Sequence, residues 1–540
     1  MKRKLLIAVV VIAVLGLGLS LLTVFNPDNK IEKQEKYQHV MESDADSLIG
    51  SETMTEDYTV DEDFVTHLPL VVIDLQGNTI PNIYKFTADG MGRKYTAEGL
   101  LNPDPWVSMS IKIIDNDNNE NKLTDEPVLI NNGKIKLRGM SSRKFDKKQY
   151  GIKLMDGDME LEEPVLGMEA DEDWVLSNSI LDMSGIRNYL AMNVGRQIFP
   201  FTPEVRFCEV IFKDGDTYTY QGLYLMQESV KQAEGRVNIA DYDEGAPSLS
   251  YIVCRDRYDT TQYTLSTWAS DSQLCYGYFT MVYPKEELLS DEAKQTIEAE
   301  ISRIEYALYN DDPEEFIKYR DYIDIDSFVD YFIINEYFMN YDAGNNSTYY
   351  YKNKDGKLAI GPLWDYDNAI DNYMPSMTGI YYPAFILQPW YERLIMDEYF
   401  QELLLTRYKE LRNMYLNEEY IDKFIDDTYA YLGNAKKRDY ERWNTVYQEK
   451  YLLEESENSE GILIDRNSKT VEDEIQRIKD DLRIHSIWLD EALEYELEKY
   501  ISQELTKVGE VDMTGVAVMG VLAFGVMMIV LMRFVKGEYR

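Results

Sequence analysis

The chain has 540 residues, 45% of them hydrophobic, enough apolar content for sizeable cores in roughly two to four domains. Its 55 basic residues face 97 acidic ones, a net charge of −42. So negative a surface repels a phosphate backbone and argues against a nucleic-acid partner. Three scattered cysteines (Cys208, Cys254, Cys275) and three scattered histidines (His39, His67, His485) argue against a disulfide scaffold and a zinc hydrolase.

In chain order, Lys2, Arg3 and Lys4 precede an uncharged apolar run at 5–25. It is long enough to cross a bilayer and longer than a signal-peptide core, so residues 1–25 are expected to be a retained anchor. Residues 26–65 are polar and acidic without periodicity and are expected to be a linker. A β-rich region is expected over 66–130, with strands at 68–74 and 107–114. The loop at 115–126 has oxygen side chains spaced somewhat as in a calcium-binding EF-hand loop. Glu120 stands where that loop needs glycine, so a solvated hairpin loop is expected.

A core region is expected over 131–384. It opens with GKIKLRGMSSRKFDKKQYGIKL at 133–154, two alternating strands around a basic, serine-containing loop. In so acidic a chain, the cations of this stretch form an island suited to phosphate oxygens. A helix is expected within 174–198, started by Asp182 or Ser184. A hairpin at 209–230 turns at Asp214-Gly215 and ends at Glu228, a carboxylate closing an apolar strand. From Ser290 the pattern is helical, with Ile297, Ile301, Ile304 and Leu308 on one face.

Residues 324–371 form the most informative stretch. Asp326 or Ser327 is expected to cap a helix carrying Phe328, Tyr331, Phe332, Asn335 and Phe338. A polar loop follows at 342–346, then strands at 347–352 and 358–363 around a Lys354-Asp355-Gly356 turn, then Trp364-Asp365-Tyr366-Asp367. A fold-back of this hairpin would bring Asp342 and Asp365 to one cleft. Carboxylates and an amide gathered there suit a hard divalent cation such as Mg2+, while the same residue types also serve ordinary turns. Residues 385–511 read as helical, with one or two extended helices over 472–505. The apolar run at 513–532, followed by Arg533, Lys536 and Arg540, is expected to be a second membrane helix within 512–533. The positive flanks place both ends in the cytoplasm and the body outside the cell membrane.

Four motifs in order, LRGMSSRKFDKKQYGIKL (137–154), WVLSNSILDMSGIRNYLA (174–191), YQGLYLMQESV (220–230) and NYDAGNNSTYYYK…GPLWDYD (340–367), resemble the CotH kinase family, named for a bacterial spore-coat protein. The resemblance implies an α+β, atypical protein-kinase-like domain of two lobes, β-rich then helical, here set between two transmembrane helices. It implies transfer of the γ-phosphate of ATP, with Mg2+ or Mn2+, to Ser or Thr of an envelope or spore-coat protein. By the same resemblance Asp342 is the catalytic aspartate, Asp365 and Asn346 hold metal, and Asp367 assists them. Arg138, Ser141, Lys148 and Lys153 would face the phosphates, with Glu228 as partner of the phosphate-contacting lysine. Phosphoryl transfer needs positioning and charge neutralisation, which these residue types supply. A non-catalytic envelope or spore-coat scaffold with a degenerate nucleotide site is the alternative.

Overall fold

A computed structural model describes residues 55–507, apart from 83–84, 88–93, 97–104, 258–262, 273–276, 377–379 and the single positions 119, 140, 179 and 459. The apolar runs at 5–25 and 513–532 and most of the expected linker lie outside the described residues. Among the described residues no helix is long and apolar enough to cross a membrane.

The N-terminal half is built on seven strands: β1 (Leu70–Asp74), β2 (Val107–Ile114), β3 (Leu129–Leu137), β4 (Tyr150–Asp156), β5 (Asp173–Ser177), β6 (Val205–Asp214) and β7 (Thr217–Glu228). They pair in the order β7-β5-β4-β3-β2-β1-β6, and β6 pairs with β7 again. The sheet thereby closes into a barrel, which removes its edges. Every pairing is antiparallel except β1 with β6. Alternating residues such as Ile111, Ile113, Ile135, Ile152, Leu154 and Trp174 fill the interior, as the two-residue period of strands requires.

Two expected boundaries shift. The one at 130/131 falls inside β3, so the first strands complete the same barrel as the later ones. The end of the acidic linker is structured: Thr59–Val60 pairs with β7, and Phe64 is buried with Leu70, Ile211 and Tyr220. A bulky aromatic that close to a barrel wall is more stable covered than solvated. The loop at 115–126 uses its oxygens internally, Asn116 donating to Asp125 and its backbone N–H to Asn121.

The second half packs helices around a four-stranded sheet. Strands β8 (Tyr251–Asp256), β9 (Tyr278–Tyr283), β10 (Thr348–Lys352) and β11 (Leu358–Ile360) lie in the order β9-β8-β10-β11. The principal helices are α1 (Arg187–Arg196), α2 (Asp291–Leu308), α3 (Ile325–Tyr337), α4 (Glu398–Arg412), α5 (Glu418–Thr445) and α6 (Val471–Lys507). The α2 helix is capped by Ser290 and buries the expected isoleucine face. The α3 helix runs through the core, burying Phe328, Phe332 and Tyr337 alike.

Local starts and stops differ from expectation in three places. Asp324, rather than Asp326 or Ser327, occupies the N-cap position of α3, and the Ser327 hydroxyl donates back to its carbonyl. Neither Asp182 nor Ser184 sits at the α1 cap, which is Ile186; Asp182 instead accepts from Ser184 and from Arg187 of the first turn. Strand β11 ends at Ile360 because Gly361 turns at φ 124° and Pro362 has no N–H to continue the ladder.

Candidate active site

The α3 helix and the β10–β11 hairpin deliver the acidic residues to one cleft. After α3 the chain turns through Met339 (φ 50°) into the 342–346 loop. There Asn346 donates its side-chain amide to Asp342 Oδ1 at 2.7 Å and its backbone N–H to the Asp342 carbonyl at 3.0 Å. Ser347, at φ 49°, donates its hydroxyl to Asp365 Oδ2 at 3.4 Å. Asp365 itself has φ 64°, a left-handed conformation that aspartate adopts more readily than most residues.

Tyr366 fixes the direction of the turn. Its backbone N–H donates to Asn188 Oδ1 at 2.6 Å and its hydroxyl to Asn335 Oδ1 at 2.8 Å, both inside the core. Asp365 and Asp367, on either side, are left close enough for each carboxyl to act on the other. Desolvation, reinforced by the charge of Asp342 and then of Asp256, pushes the Asp365 carboxyl up to about 6. Burial and the charge of Asp365 push Asp367 well above the usual carboxylate range. Like charges thus crowd here with too little positive charge to offset them.

Of the expected contributors in the basic hairpin whose side chains are described, Arg138 turns toward these acids. Its guanidinium lies 4.7 Å from the centre of the Trp364 ring, and its charge lowers the Asp365 pKa. Ser141 begins a short 3-10 turn, Ser141–Lys144; its side chain lies outside the described residues. Lys148 is spent on that turn, donating to the carbonyls of Arg143 (2.7 Å) and Phe145 (2.5 Å). Lys153 alternates out of the barrel between Ile152 and Leu154 and pairs with Glu160 and Asp173, each at 2.9 Å. Among the described residues Glu228 pairs with no lysine: Arg236 donates to it at 2.7 Å and the Glu204 N–H at 2.8 Å. Its carboxyl is pushed up to about 7 by burial, which Arg236 and Arg196 only partly offset. Lys148, Lys153 and Glu228 are thus each bonded to nearer protein groups and are not brought to the acids with Arg138.

Two residues of the cleft escaped the sequence reading. Asp256, the last residue of β8, is raised by burial and by the charge of Asp342. Arg257 follows it, its guanidinium 3.8 Å from Asp342 Oδ1. The signal was available, since an apolar strand ending in a carboxylate is the pattern that singled out Glu228.

The donor set fits a hard cation in kind: carboxylate and amide oxygens, with negative charge in excess. A tight carboxylate triad lies elsewhere, at Asp171, Glu172 and Asp173 where β5 begins, and there Lys231 and Lys153 already sit. A family model described as CotH kinase protein matches residues 135–484. No curated protein matches the chain.

Proposed function

From the premise that the chain belongs to the CotH kinase family, we propose that it is a phosphotransferase moving the γ-phosphate of ATP to Ser or Thr hydroxyls of an envelope or spore-coat protein. In this reading Asp342 orients the acceptor hydroxyl and receives its proton. Asn346 holds Asp342 in place and, with Asp365 and Asp367, would hold Mg2+ or Mn2+. That ion would neutralise phosphate charge as the bond to the leaving oxygen weakens. Arg138, stacked on Trp364, is the phosphate-facing cation of the basic hairpin. The observation that carries the reading is the Asp342–Asn346 hydrogen bond facing an Asp365–Asp367 pair that Arg138 only partly compensates. The apolar runs at 5–25 and 513–532 would anchor the chain with its body outside the membrane, which reporter fusions at the two ends would test.

The test of catalysis uses the full chain with γ-labelled ATP and divalent metal. Asp342→Ala should lower incorporation by about 10²–10⁴-fold while nucleotide binding persists. Asp365→Ala should remove the metal-dependent component, and Lys153→Ala should leave transfer unchanged. Equal incorporation by wild type and both aspartate variants would reject the assignment.

A further inference from the structure

A second polar site lies behind the acid loop, where the loop before α1, the barrel wall and α5 meet. Asp182 belongs to both places: its charge acts on Asp367, and it lines a cavity of about 20 Å³ with Lys147, Asn178, Lys436, Asp439 and Tyr447. That volume accommodates one or two water-sized groups.

Its distinguishing feature is a surplus of buried positive charge. Lys147 and Lys436 are 3% and 2% exposed and share one carboxylate, that of Asp439. Lys147 Nζ lies 2.8 Å from Asp439 Oδ1, and Lys436 Nζ lies 2.9 Å from Oδ2. Lys147 gives a further proton to the Leu223 carbonyl at 2.6 Å. An ammonium has three N–H donors, so Lys147 keeps one and Lys436 keeps two without an acceptor among the described residues. The rings of Tyr224 and Tyr447 flank them, with centres 4.9 and 5.6 Å from the respective nitrogens.

The neighbouring charges do not cancel the surplus. Asp182 is committed to Arg187 at 2.6 Å. Glu209 is bonded to Arg438. Arg442, further along α5, adds positive charge at Lys147. Gly185, at φ +72°, lines the cavity beside Lys436, and a Cβ there would meet Lys436 Nζ in ordinary contact at 3.6 Å. Buried charge left uncompensated is costly, and a bound counter-ion removes that cost.

We propose that this cavity binds a single small anion of halide size between Lys147 and Lys436. The same seat suits one terminal oxygen of a phosphate group, and the two sources are separable by experiment. The site stands independently of the phosphotransferase reading, because it concerns binding in the absence of nucleotide.

Bromide is the probe. Crystals of the full chain grown in gluconate and soaked in bromide should show an anomalous peak between the two ammonium nitrogens. In solution at constant ionic strength, bromide or chloride replacing gluconate should raise the unfolding midpoint saturably, by about 1–3 °C. Lys436→Met should abolish the saturating component, and Lys436→Arg should retain part of it. If Lys436→Met does not fold, the bromide peak in the wild-type crystal decides. ATP with Mg2+ expelling the bromide identifies a phosphate oxygen as the physiological occupant; both bound together identifies a free anion. A cavity without anomalous density, in a protein whose midpoint ignores halide, overturns the proposal.

Discussion

Two groups of buried carboxylates lie along the loop that leaves β11 and on α6 beside it, and they differ in the counter-ions they meet. Asp365 and Asp367 face Asp342 and Asp256, and their pKa values rise to about 6 and well above the usual range. A few residues on, Asp371 lies 3.2 Å from Arg466 and 3.9 Å from Arg477, while Glu474 lies 2.8 Å from both Arg187 and Arg477. Burial alone would raise the Glu474 carboxyl, but Arg477 and Arg187 outweigh it and hold the group at about 2. Arg187 also donates to the carbonyls of Ala369 (2.9 Å) and Ile370 (3.2 Å). The second group therefore fastens the loop to α1 and α6. The first keeps unbalanced charge at the cleft, where an incoming cation can use it. Fixing one end of the loop is what permits the other to hold like charges close together.

The largest test of this contrast is Arg187→Ala. It takes the cationic partner from the fully buried Asp182 and leaves Glu474 with Arg477 as its remaining cation, and should cost about 3–5 kcal/mol in urea unfolding. A loss below about 1 kcal/mol would mean that the network does not fasten the loop.

Acid should act next. The Glu474 pKa is lower folded than unfolded, so its stabilising contribution is complete above its ordinary value of 4.5 and disappears as pH falls toward about 2. Across that window wild type should lose on the order of 3 kcal/mol relative to Glu474→Gln. Parallel stability curves for the two proteins would show that the ion pairs contribute no pH dependence.

The smallest effect is expected at the other end of the loop. Saturating Mg2+ should stabilise wild type by about 1–3 kcal/mol, and Asp365→Asn should remove that gain. Without metal the variant should be at least as stable as wild type, because one of the crowded charges is gone. Destabilisation of metal-free Asp365→Asn would place Asp365 among the fastening residues and erase the distinction.

Much of the candidate site was legible because it is local. Asp342 and Asn346 are one loop apart, the hairpin turn falls at 353–356 as expected, and the final long helix spans Val471–Lys507. The basic hairpin was harder. Its strands could be read, but strand alternation gives two faces without saying what stands opposite each. Lys148 met carbonyls and Lys153 met acids, while the neighbouring Lys147 turned inward to Asp439 of α5. Asp256 carried a local signal, a carboxylate ending an apolar strand, but its place at the cleft was not legible, because it reaches there only through the pairing of β8 with β10.

By itself the sequence determined the family, the helix and hairpin that flank the acids, and the excess of negative charge, all of which depend on residue order and short-range periodicity. Tertiary structure decided the closure of the barrel through the parallel β1–β6 pairing, the counter-ion each buried charge received, and which carboxylates received too few. Those outcomes depend on desolvation and Coulomb energies between residues distant in the chain, and such energies exist only once folding has fixed the distances.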